Sequence, residues 1–76
     1  MWRLMIRTKG DAEGFVLGEE ADLREAMEAW AADPDGNIAG RKVLMVTGMG
    51  NEAHRPQLTF AIVADEVKAM QLSREA

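Results

Sequence analysis

The sequence predicts an α+β fold, with a single helix packed on a mainly antiparallel sheet in the order β-β-α-β-β-β. Two patterns support this prediction. Apolar residues alternate with other residues over 2–8 and 57–64, as in strands that bury one face. Residues 19–32 instead repeat apolar positions at helical spacing. Because the chain has 76 residues, 47% of them hydrophobic, we expect one small domain, 1–76, with its own core.

The first two strands are predicted to form a hairpin. Residues 2–8 make the first strand, and the polar segment 9–14, which contains two glycines, makes the turn. Residues 15–17, Phe-Val-Leu, make a short second strand. The buried face of the first strand carries Trp2, Leu4 and Ile6.

The helix is predicted over residues 19–32. Its apolar positions are spaced i, i+3, i+4 and i+7, which places four side chains on one side of a helix. Pro34 and Gly36 then end the helix, because proline lacks a backbone donor and glycine adopts turn conformations readily. The apolar stripe consists of Leu23, Ala26, Met27 and Trp30.

Two further strands are predicted at 41–47 and 57–64. They are both rich in apolar and β-branched residues, and we expect them to be antiparallel neighbours. Residues 48–56 connect them as a long loop with two glycines and few large apolar side chains. Such a segment can bury little surface, so we expect it to be the most mobile internal part of the chain.

The C-terminal segment allows two interpretations. In the preferred one, Asp65 and Glu66 form a turn, and residues 67–73 form a final strand with Met70 and Leu72 inward. A helix over 65–75 is the alternative, because apolar positions in this segment also fit the helical period.

The predicted sheet is apolar on both faces, although one helix can cover only one of them. An antiparallel sheet that leaves a face in water usually makes that face polar. The apolar second face therefore indicates that another chain covers it. A chain this small, without cysteine, also gains stability from self-association. We expect a homo-oligomer, most simply a twofold dimer. Replacing Met45 by Glu should convert this dimer to a monomer. If the last strand lies at an edge of the sheet, it would offer a second contact between copies. The predicted interface residues are Met5, Val43, Met45, Ala61 and Val63.

The loop 48–56 holds the only histidine of the chain, His54, beside Arg55 and near Glu52. A general base next to a cation can serve catalysis, but no nucleophile accompanies it, since the only serine, Ser73, lies far along the chain. We therefore predict that the protein is not an enzyme. The loop is instead a candidate contact for a protein partner, through Met49, Glu52, His54 and Arg55.

Two short motifs resemble ligand loops without completing them. The run Asp33-x-Asp35-x-Asn37 opens like a calcium loop, but its glycine comes two positions early and Leu44 stands where a bidentate Glu is required. The Gly-x-Gly after residue 47 is followed by a proline and another strand, and not by the helix of a phosphate loop. With no cysteine and one histidine, a multi-thiolate or multi-histidine metal cage is excluded. We expect no cofactor and no metal.

The charge balance disfavours a nucleic-acid partner. The net charge is −4, whereas affinity for nucleic acid depends on neutralising phosphates with Lys and Arg. A nucleic-acid-associated protein remains the alternative if the fold gathers the bases on one sheet and loop side. No apolar stretch approaches 18 residues, so we expect no membrane contact and a cytoplasmic location. The bases in question are Arg3, Arg7, Arg41, Lys42 and Arg55.

The C-terminal segment Leu58–Leu72 combines a strand, a turn of the type Ala-Asp-x-Val and a final strand. It resembles the ends of short proteins of unassigned function from actinobacteria and their phages. The likeness covers these 15 residues, contains no catalytic motif and implies a phage accessory protein. The sequence as a whole thus predicts a small non-enzymatic interaction module that self-associates and binds another protein.

Overall fold

The computed structural model describes residues 1–32, 36–49 and 57–75. Within them the chain forms one helix and six strands in a curled antiparallel sheet, which confirms the α+β fold. The five predicted strands and the helix occur in the predicted order, with one additional short strand. The elements are β1 (Trp2–Thr8), β2 (Glu13–Gly18), α1 (Glu20–Ala31), β3 (Gly36–Ile38), β4 (Arg41–Met49), β5 (Gln57–Val63), a 3₁₀ turn (Ala64–Glu66) and β6 (Val67–Arg74).

The sheet has the strand order β3-β4-β2-β1-β6, and β5 pairs with the other side of β4. The pairs β1–β2, β1–β6 and β4–β5 run in register along most of their length. By contrast, β2 and β4 share a single register pair, Leu17 with Met49. The sheet is therefore joined at one narrow contact, where two glycines, Gly18 and Gly48, allow the backbones to approach closely.

The core lies between α1 and one face of the sheet, which we call the core face. Leu4, Leu44 and Val46 are fully or almost fully buried there. Leu23 and Ala26 of α1 pack against them, as the predicted helical stripe requires, and Val67 closes the cluster from β6. This burial stabilises the chain by removing apolar surface from water.

The opposite side of the sheet is its outer face, away from α1. Because side chains alternate along a strand, the register places the odd-numbered residues of β1, β2, β4 and β5 on this face. Gly36 and Ile38 of β3 join them, since they pair with Val43 and Arg41. This assignment shows which residues of each strand the outer face presents.

Several predicted boundaries need correction. Residues 36–38 form β3, although Gly36 was predicted only to help end the helix, and residues 33–35 lie outside the described part. Strand β4 extends to Met49, two residues into the predicted loop, and the rest of that loop, 50–56, is likewise outside the described residues. At the C-terminus the strand interpretation is confirmed and the helix alternative is wrong.

The hairpin between β3 and β4 offers a stability prediction. Its two-residue turn, Ala39 and Gly40, has positive φ at both positions (55° and 82°), as in a type I′ turn. A left-handed backbone is strained for alanine, whereas asparagine tolerates it. We expect Ala39→Asn to raise the free energy of unfolding by about 0.5–1 kcal/mol, which is a few degrees in Tm.

Thermal denaturation checks this prediction. Ala12→Asn is the matched control, because Ala12 also lies in an exposed turn but does not have a positive φ. An Ala39→Asn variant that melts at or below the control would show that the turn is not strained by alanine.

Candidate interaction surface

Four of the five predicted interface residues occupy accessible positions of the outer face. Met45 and Ala61 are directly paired across β4 and β5, and both are exposed, Met45 to 53%. Val63 lies further along β5, and Met5 lies on β1, in the other half of the sheet; both are half-buried. The fold therefore brings Met45, Ala61 and Val63 together and places Met5 apart from them.

Val43 differs from the other four, because it is only 6% exposed and offers little surface to a partner. The additional strand β3 explains its burial. Gly36 pairs with Val43, and a Cβ on Gly36 would lie 2.7 Å from the Val43 carbonyl oxygen. The missing side chain lets β3 lie close over Val43, while Val63 flanks it on the other side.

Two exposed apolar residues on the outer face were missed by the sequence analysis. Phe15 and Ile38 are each 56% exposed. Phe15 is the register partner of Met5, so the two side chains share the face. Phe15 was not identified because its pairing with Met5 depends on the register of the hairpin. Ile38 was not identified because β3 was not predicted. Together with Met45, they place every exposed large apolar residue of the described strands on this one face.

The arginines of the outer face are all engaged with carboxylates. Arg7 lies 3.1 Å from Glu13, and Arg41 lies 2.8 Å from Glu66. These ion pairs are exposed and contribute little to stability, but they balance the positive charge of the face. Lys42 follows Arg41 along β4 and so points to the opposite side of the strand.

Arg3 is held differently from the other two arginines. Its guanidinium carbon lies 5.8 Å from the centre of the Phe15 ring, a cation–π distance. The Arg3 Nε lies 3.5 Å from Glu75 Oε2, close enough for an ion pair, yet this buried nitrogen makes no hydrogen bond. The Arg3–Glu75 contact therefore compensates charge without a hydrogen bond. Arg3 and Phe15 fix each other on the outer face.

The predicted partner loop is only partly described. Met49 belongs to the end of β4, is half-buried, and pairs with Leu17 and Gln57, which corrects its assignment to a loop. Glu52, His54 and Arg55 lie outside the described residues.

A cleft of about 450 Å³ lies between α1 and β4. Its described lining includes Asp22 and Glu25 of α1, and residues from both faces of β4 border it, among them Leu44, Met45 and Thr47. The described residues hold no group of three or more side chains suited to binding a metal ion.

Comparison with known protein families, with curated proteins and with solved structures finds no match to this chain. Among the described residues, no helix combines the length and the apolar character needed to cross a membrane.

Proposed function

We propose that this protein is a small, non-enzymatic, cytoplasmic interaction module that self-associates and binds another protein, and that the outer face is its contact surface. The observation that supports the proposal most directly is the position of Phe15, Ile38 and Met45. Each exposes more than half of its surface, and all three lie on the face that α1 leaves uncovered. Exposed apolar residues that share one face of a sheet are typical of an interaction surface.

The dimensions of the chain are compatible with such a contact. The broadest side of a body measuring 34 × 22 × 20 Å projects to roughly 750 Å², close to the ~800 Å² per partner of a standard interface. Charge does not oppose the contact, because the arginines of this face are balanced within the chain. A role as an accessory protein of a phage fits a module of this kind and is part of the proposal.

The alternative, a nucleic-acid-associated protein, has one observation in its favour. Arg3, Arg7 and Arg41 share the outer face. However, each of them has a carboxylate within 3.5 Å, so phosphate would have to displace an internal partner. Retention on heparin that is released only by added salt would favour this alternative over the protein-interaction proposal.

Met45→Glu tests the proposal. A carboxylate at this position would be buried without a partner in the contact, which costs roughly 3 kcal/mol and weakens association about 100-fold. We expect light scattering to show a wild-type particle larger than the 8.4 kDa chain and a smaller particle for the variant.

Ala21→Glu is the control, because it adds the same charge at an exposed position of α1. The control should keep the wild-type mass. A wild-type protein that stays at 8.4 kDa at high concentration would contradict the proposal, as would a Met45→Glu particle of unchanged mass.

A further inference from the structure

We propose that a second copy of this chain pairs with the free edge of β5, strand to strand and antiparallel, about a twofold axis at Phe60. The inference rests on the self-association proposed above but uses a different part of the chain. It concerns the backbone edge of β5, which is separate from the contact proposed for the outer face.

One edge of β5 is paired with no other strand of the described residues. Within the described residues only β4 pairs with it, and β4 is the only element that it contacts extensively. An edge strand presents unpaired N–H and C=O groups, which natural proteins protect with charges, prolines or bulges. The segment Gln57–Val63 contains no charged residue and no proline, and its register with β4 is unbroken.

The edge of the sheet formed by β6 is protected. β6 has exposed charged residues near both ends, Lys68 and Arg74, and its pairing with β1 is interrupted by a register shift next to Thr8. Charges and irregular pairing both disfavour the addition of another strand. The sequence analysis considered the last strand as an edge contact, and β6 does lie at the end of the strand order. β3, the third terminal strand, has only three residues, so the comparison of the edges favours β5.

The sequence of β5 is suited to pairing with itself. In the antiparallel register that uses all seven residues, Phe60 lies opposite Phe60 of the second copy. Leu58 then faces Ile62, and Thr59 faces Ala61, so apolar and small side chains oppose one another and no like charges meet. A twofold axis closes this contact, because each copy uses its only β5 edge.

Phe60 provides an independent reason for a partner at this edge. It lies on the core face opposite Val46, yet it is only half-buried and is not among the side chains that pack on the core cluster. A second copy would place another phenyl ring beside it, and aromatic side chains across a strand pair stabilise each other.

The helices leave room for this arrangement. Helix α1 packs mainly on β4, on the core face. Two copies joined at β5 separate their β4 strands by three strand spacings, about 14 Å, whereas packed helices need 8–10 Å between axes. The helices therefore do not collide.

Disulfide cross-linking tests the register. The chain has no cysteine, so the double variant Thr59→Cys/Ala61→Cys introduces the only thiols. In the proposed register the thiol at position 59 of each copy faces the thiol at position 61 of the other, at roughly 5 Å between Cβ atoms. In the single variants each thiol lies about 7 Å or more from its equivalent in the second copy. We expect mild oxidation to convert the double variant to a covalent dimer at least 10-fold faster than either single variant.

A second measurement separates this contact from the outer face, because Thr59 and Ala61 also lie on that face. The Met45→Glu background should retain the cross-link and should stop at a particle of twice 8.4 kDa. Equal cross-linking in the single and double variants would overturn the edge contact, and so would a monomeric Met45→Glu protein. A wild-type protein that is monomeric at every concentration would instead overturn the proposed function together with this inference.

Discussion

Leu23→Ala should lower the free energy of unfolding by about 2–5 kcal/mol, the range observed when a buried leucine is truncated. Leu23 is 0% exposed and contacts the core residues of β1 and β4. Within α1, all of which is described, it is the only large side chain that is completely buried. Truncation of the Leu23 side chain leaves a cavity between α1 and the sheet.

The effect is large for a chain of this size. A domain of 76 residues is expected to have a stability of roughly 4–11 kcal/mol, so this substitution removes a substantial share of it. Urea denaturation measures the change as a shift of the midpoint. Unfolding at room temperature in the absence of denaturant would be the extreme form of the same result.

Met27→Ala is the matched control for Leu23→Ala. Met27 belongs to the same helical stripe but is half-buried, so the same kind of truncation should cost about 1 kcal/mol. If the control destabilised the protein as much as Leu23→Ala, α1 would not pack on the sheet through Leu23.

The long elements were predictable because each has a strong period of its own. Alternation over β1 and β5 and the stripe Leu23–Trp30 come from residues whose burial is decided locally, by which side of the element faces the core. The last strand was harder, because its apolar positions fit two periods; pairing with β1 selects the strand. The strand interpretation of residues 67–73 is therefore correct because of pairing with β1, which the sequence of this segment alone does not reveal.

Strand β3 could not be predicted from its own residues. Gly36-Asn37-Ile38 is three residues long and consists largely of turn-forming types, so its periodicity is too short to detect. It forms a strand because the tight turn at Ala39 and Gly40 returns the chain onto β4. The burial of Val43 follows from this contact, which is why Val43 offers less surface than the other predicted interface residues.

The composition of the outer face was predictable, whereas its pattern of exposure was not. Alternation placed Met45 and Ala61 on the face that α1 does not cover, and the register agrees with that placement. The exposure of Phe15 depends on which residue of β1 it opposes, and this is set by the turn between Thr8 and Glu13. Residues brought together by pairing between distant segments are not marked by any local pattern.

Gly48→Ala is expected to destabilise the protein by about 1–3 kcal/mol, because β2 passes β4 at this residue with no space for a side chain. A Cβ on Gly48 would overlap the Val16 side chain and would lie 2.8 Å from the Leu17 carbonyl oxygen. The Leu17 carbonyl oxygen belongs to the backbone, so it cannot move away by a side-chain rotation. β2 and β4 would have to separate at Leu17–Met49, the one register pair that joins them.

Gly14→Ala is the control for Gly48→Ala, because it makes the same change where a side chain has room. Gly14 also lies in a strand, but a Cβ there would have no neighbour within 4 Å. Because glycine is less favourable than alanine in a strand by roughly 0.5–1 kcal/mol, the control should be neutral or slightly stabilising. The same Gly-to-Ala change therefore has opposite effects at the two positions, measured as urea midpoints with unchanged slope. If Gly48→Ala were as stable as Gly14→Ala, the two halves of the sheet would not meet at Gly48, and the outer face would be two separate surfaces.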